Sequence, residues 1–236
     1  MQSQFTSDKY FEEMIARFLD SNFYRYRFPE KEYIIARVQN KNLQKMGIDV
    51  ALINTINKSV TYIDEKCAAH YINSKLETFA LEITGTDGNP GWLLKDGMVT
   101  DFYLFIWVHA DEAKFPLQEH GWNRYYETAQ IEDIDYVTCC LIRKETLINY
   151  LNNQDLGADK LYEQAEGMRR RKCKSEIMNG FLFTYSYKNL REGPVNILIP
   201  KETLQTLATN EQGHSWCFRI DAPCGEENIT LMEYNG

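Results

Sequence analysis

The stretch "GIDVALINTINKSVTYIDEKCA", residues 47–68, decides how this chain is read: two segments rich in apolar and β-branched residues are joined by the polar loop "NTINKS", Asn54–Ser59. Such a pattern predicts an antiparallel hairpin. Its midpoint falls between Ile56 and Asn57, so Asp49 and Asp64 stand at equal distances from the turn and are expected to face one another across the strands. Alternation along the second strand turns Tyr62, Asp64, Lys66 and Ala68 to one side and Ile63, Glu65 and Cys67 to the other. Two carboxylates and an ammonium group are thereby predicted to share one small patch.

That combination suits phosphodiester hydrolysis, which needs a divalent cation on oxygen ligands, a water acidified by it, and positive charge near the developing pentacoordinate phosphate. Asp49 and Asp64 would supply the oxygens, and Lys66 the charge or help in deprotonating the water. The plainer alternative is that Asp64, Glu65 and Lys66 are solvated strand residues and Asp49 a bend-former after Gly47.

Working outward, "SDKYFEEMIARFLDSNFY" from Ser7 predicts a helix capped by Ser7 or Asp8, with Phe11, Met14, Ile15, Phe18 and Leu19 on its apolar stripe. Its other side carries Glu12, Glu13, Arg17 and Asp20, and the pattern breaks at Pro29. Beyond the hairpin, "TFALEI" ending at Ile83 reads as a third strand, and "TDFYLFIWVHA" as a buried central one. Between them, "GTDGNPG" is a loop whose glycine spacing matches neither a P-loop nor a dinucleotide fingerprint.

The residues "GIDV", a short loop and "IDEKCA", preceded by an acidic helix and followed by "TFALEI" and "TDFYLFIWV", resemble the PD-(D/E)XK nuclease superfamily, the restriction endonuclease-like fold. The resemblance covers about the first 110 residues, and Ile48 stands where the motif's label has proline. It implies Asp49 at the first acidic position, Asp64 at the second, Glu65 at the variable one and Lys66 at the lysine. It further implies a Mg2+ site, with Mn2+ able to substitute, held by Asp49, Asp64 and a glutamate of the first helix, Glu13 with Glu12 as the accessory choice. Glu65, Glu82 and Gln44 are further accessory candidates, and Lys45 with Arg169, Arg170 and Arg171 are candidate DNA-backbone contacts. The implied activity is a divalent-metal-dependent DNA endonuclease; the alternative is an inactive nuclease-fold protein that binds nucleic acid or a protein partner.

The second half contains two similar units, "VTCCLIRKETLINYL" and "VNILIPKETLQTLA", each an apolar strand feeding a helix that opens with Lys-Glu-Thr-Leu. They are expected to add to one sheet. The expected fold class is therefore α/β and restriction endonuclease-like: a central mixed β-sheet flanked by helices, with C-terminal strand-helix additions. No compositional break marks a linker, so residues 1–236 are taken as one elaborated domain, with the core motif region at 7–110 and a C-terminal extension at 111–236.

Bulk properties narrow the function classes. An apolar fraction of 44% supports a packed core, and the run Phe102–Val108 is too short to span a bilayer. A cytoplasmic protein without membrane attachment is expected; homodimerisation is left open. A net charge of −8 argues against gripping polyanions by bulk attraction, and leaves local neutralisation by a cation or a basic patch. The six cysteines form no regular framework and are read as reduced thiols; His214, Cys217 and Cys224 match no zinc pattern well. Neither a G-x-S-x-G elbow nor an H-E-x-x-H helix occurs, which disfavours serine hydrolases and zinc peptidases.

Overall fold

The computed structural model describes residues 4–85, 88–117, 125–186, 193–209, 216–222 and 229–232, with side chains from residue 8 onward. Helix α1 (Gln4–Leu19) runs on through a π-helical turn (Asp20–Tyr24) into the single turn α2 (Arg25–Arg27). It begins before the expected cap at Ser7 or Asp8. A cap contributes only about 1 kcal/mol, whereas the stripe Phe11, Met14, Ile15, Phe18 and Leu19 is wholly buried and holds the helix in place.

Next come β1 (Tyr33–Arg37), the short helix α3 (Lys41–Gln44), β2 (Val50–Asn54), β3 (Val60–Cys67), β4 (Thr78–Thr84) and β5 (Phe102–Ala110). Strand β6 (Ile134–Arg143) feeds α4 (Lys144–Asn153), and α5 (Ala158–Arg171) leads to the hairpin β7 (Ser175–Met178) and β8 (Phe181–Tyr185). Strand β9 (Val195–Pro200) feeds α6 (Lys201–Leu207), followed by β10 (Cys217–Asp221) and β11 (Ile229–Leu231). Both Lys-Glu-Thr-Leu segments open helices, as their pattern predicts.

These strands form an α/β arrangement with two sheets. A seven-stranded mixed sheet has the order β1-β2-β3-β5-β6-β10-β11, with β3 and β5 its parallel pair and the other neighbours antiparallel. A four-stranded antiparallel sheet has the order β4-β9-β8-β7. The expectation that both strand-helix units extend one sheet is thus corrected: β6 joins the large sheet and β9 the small one. Apolar strands of equal quality suit either sheet; which one they enter depends on partners far away in the chain, here β5 for β6 and β4 for β9.

The large sheet is buried on both faces around β5. Leu104, Ile106 and Val108 point into a core closed by α1, while Tyr103, Phe105 and Trp107 point into a second core shared with the small sheet. Phe79 of β4 meets Phe105 and Trp107 across that second core, with ring centroids 4.8 and 5.5 Å apart. The central-strand reading of "TDFYLFIWVHA" therefore holds.

The adjacent Cys139 and Cys140 face opposite cores, and Cys140 is bonded as a disulfide to Cys217, its partner in the β6–β10 register. This corrects the reading of all six cysteines as reduced: spacing along the chain is blind to cross-strand register. Cys217 is thereby taken from the zinc grouping, whose other members, His214 and Cys224, lie outside the described residues. No helix among the described residues is long and apolar enough to cross a membrane.

Candidate active site

The site is built at a fork in the large sheet. β3 pairs with β2 from Val60 to Ile63, and from Asp64 to Cys67 its strand partner is β5 alone. Continued by one residue, the register Val50↔Ile63 sets Asp49 against Asp64, the pairing expected from the hairpin midpoint. At the fork the Asp49 side chain does what a strand would have done: its Oδ2 accepts the Glu65 backbone N–H at 2.8 Å. An edge N–H is satisfied and the carboxylate is fixed in one move.

Gly47 lets Asp64 tuck in behind. Its φ of +78° lies in the left-handed region, and a Cβ there would stand 2.1 Å from Thr100 Oγ1 and 3.3 Å from Asp64 Oδ2. Asp64 is 2% exposed. Its Oδ1 lies 2.6 Å from Lys66 Nζ, and its buried Oδ2 has no hydrogen-bond partner. Burial pushes the Asp64 carboxyl up to about 6, against the pull of Lys66 and with Asp49, in hydrogen-bonding reach, adding to the rise. Lys66 is held from the other side by the Trp92 ring, 4.9 Å from Nζ to centroid.

These three residues line a cleft of about 640 Å³ between α1, the β1–α3 connection and the open edge of β3. Glu12 and Glu13 of α1 both line it. Glu12 is the one joined electrostatically to the pair: burial first, then Asp49, raises its carboxyl, and Lys66 lowers it. Glu13 instead forms an ion pair with Lys9 at 3.3 Å. Both candidates line the cleft, and the packing of the helix against the sheet, which its sequence does not specify, makes Glu12 the one coupled to the strand carboxylates. Among the described residues no group of three or more His, Cys, Asp or Glu side chains stands close enough to hold a metal ion. The convergent pair is Asp49 and Asp64.

Glu65, on the opposite side of β3, is differently employed. Its Oε1 accepts from the Tyr24 hydroxyl at 2.8 Å and its Oε2 from Arg37 Nη1 at 2.5 Å. Arg37 also donates Nη2 to Asp20 Oδ1 at 2.6 Å and to the Ala16 carbonyl at 3.3 Å. This part-buried network ties α1, β1 and β3 together at the cleft wall, and both oxygens of the Glu65 carboxylate are engaged in it. Neither Arg37 nor Trp92 is signalled by the sequence pattern, since each acts on a side chain brought to it by tertiary packing.

The remaining candidates divide. Gln44 lines the cleft and donates to the Val38 carbonyl at 2.9 Å. Glu82 sits on β4 of the small sheet, away from the cleft lining. Lys45 is exposed outside the lining, and its carbonyl accepts from Lys95 Nζ at 2.7 Å. Arg169 is turned inward, donating to Thr84 Oγ1 at 3.1 Å, to the Gly193 carbonyl at 2.9 Å and to the Gly85 carbonyl, so it braces loops. Arg171 pairs with Glu176 at 2.5 Å, and Arg170 is exposed on α5, outside the cleft.

Comparison with known proteins adds no name to this geometry: no protein-family model, no curated protein and no solved structure matches the chain.

Proposed function

We propose that this protein is a divalent-metal-dependent DNA endonuclease with a restriction endonuclease-like core, acting at Asp49, Asp64 and Lys66. The observation that carries the proposal is the meeting of these three side chains at an open strand edge inside a polar cleft. A buried carboxylate with one unpartnered oxygen beside a second carboxylate is a repulsive arrangement that a cation relieves. Two carboxylates in a wet cleft suit Mg2+, which keeps several waters and takes one or two protein carboxylates; Mn2+ accepts the same donors.

When bound, the ion supplies a more acidic water and offsets phosphate charge. The chain's own residues do the rest. Asp49 and Asp64 would hold the ion, and Asp49 is oriented by the Glu65 N–H. Lys66, steered by Asp64 and Trp92, presents its ammonium to the charge that builds on the phosphoryl oxygens. Glu12 overlooks the pair from α1 and is the helix carboxylate able to join it.

The reading is tested by incubating the protein with single-stranded, duplex and branched DNA in Mg2+ and in Mn2+. Cleavage is expected with either ion, and none in EDTA or from the Lys66→Ala protein. Cutting that persists in EDTA would refute it. Among the described residues only two carboxylates converge with Lys66, which favours a second reading, a nuclease-fold protein that binds nucleic acid or a protein without cutting. That reading requires no hydrolysis of any form and binding indifferent to Asp64→Asn.

A further inference from the structure

Charge in the cleft is unevenly committed. Five cationic side chains line it: Lys9, Arg17, Arg37, Lys41 and Lys66. Three are matched to carboxylates: Lys9 to Glu13 at 3.3 Å, Arg37 to Asp20 and Glu65, and Lys66 to Asp64. Arg17 and Lys41 stand exposed, and neither side chain has an ion pair or hydrogen bond among the described residues. The i,i+4 partner that Arg17 would have in Glu13 is taken by Lys9.

Helix electrostatics explains neither residue. Cations favour helix C-termini and anions N-termini. The helical backbone runs past Arg17 through Asp20–Tyr24 to Arg27, so Arg17 is not at its end, and α3 is a single turn, too short for a helix dipole to account for Lys41. In a chain of net charge −8, two uncommitted cations on different elements of the same acidic cleft call for an anionic partner from outside.

We infer that Arg17 and Lys41 are phosphate-contact residues, gripping phosphodiesters that flank the one held at Asp49, Asp64 and Lys66. This rests on the hydrolytic reading for the central phosphate and adds which residues hold the strand's neighbouring phosphates, Arg17 from α1 and Lys41 from α3. The basic run at Arg169–Arg171 has no part in it, since it lies outside the cleft.

The test is equilibrium binding of fluorescein-labelled DNA oligonucleotides, single-stranded and duplex, by anisotropy over a salt series in EDTA, so that no cleavage is needed. Neutralising one phosphate contact should lower the slope of log K against log salt by roughly 0.7 for single strands or 0.9 for duplex. Arg17→Ala and Lys41→Ala are each expected to show that loss and about fivefold weaker binding at moderate salt, the double variant about twice the slope change, and Arg170→Ala no change. In Mg2+, KM should rise with kcat within about twofold. Unchanged slopes in both variants, a slope change in Arg170→Ala instead, or no binding by the wild type would overturn the inference. Normal cleavage with unchanged slopes sinks the inference and leaves the hydrolytic reading standing; altered slopes in a protein that never cleaves do the reverse.

Discussion

The two sides of β3 carry polar groups of similar kind in opposite states. On one side Glu65, Arg37, Asp20 and Tyr24 satisfy one another, with charge-assisted bonds of 2.5 and 2.6 Å and a buried hydroxyl donating into the same carboxylate. On the other, Asp64 is buried with one oxygen unpartnered, crowded by Asp49 and only partly answered by Lys66. Buried ionic groups that are fully paired hold elements in register, whereas incompletely paired ones are kept at a cost in stability. Here an incompletely paired carboxylate pair stands beside a satisfied network on the same strand.

The sharpest break of this comparison is chemical. Asp49→Asn, Asp64→Asn or Lys66→Ala should each lower kcat/KM for DNA by on the order of 10³-fold, with near-wild-type far-ultraviolet circular dichroism and no loss of melting temperature for Asp64→Asn. A folded Asp64→Asn protein that still cuts would remove the functional meaning of the frustrated side. Next in size is the satisfied side. Arg37→Met leaves Glu65 and Asp20 without their shared cation, and urea denaturation should show a loss of about 3 kcal/mol. Glu65→Gln, which keeps an acceptor for Tyr24, should lose clearly less; equal losses would mean that packing, not charge, holds α1 to the sheet.

The smallest expected effect sharpens the contrast through pH. Asp64 is raised to about 6 in the folded protein from an ordinary 3.8, so the folded state binds the proton more tightly than the unfolded chain. In EDTA its contribution to stability must therefore grow as pH falls through 6, and be lost as pH rises again. Between pH 7 and pH 5 the wild type should gain about 1 kcal/mol relative to Asp64→Asn by denaturant titration. A change of opposite sign would show that Lys66 outweighs burial at this carboxylate.

Legibility followed distance along the chain. The facing of Asp49 and Asp64 could be read from the sequence because a short loop sets hairpin register, and side-chain period two then sets the faces. The burial of β5 was equally plain, since a run such as Phe102–Val108 has no polar face to give to water. The small sheet was hidden because β4 and β9, though in perfect apolar pattern, lie more than a hundred residues apart and nothing local names either as the other's partner. Arg169 and Arg171 looked like a solvated basic run, and packing turned one into a loop brace and gave the other an acidic partner.

By itself, the sequence determined an α/β chain, the hairpin that opposes two aspartates, and the strand side shared by Asp64 and Lys66, all consequences of backbone periodicity over a few residues. Only the tertiary structure decided that β3 loses its β2 partner at Asp64, that Glu12 rather than Glu13 is coupled electrostatically to the carboxylates, and that Glu65 is bound by Arg37 and Tyr24. The physical reason is that which groups remain unpaired depends on every element packed around them. Pairing between distant segments leaves no period in the sequence.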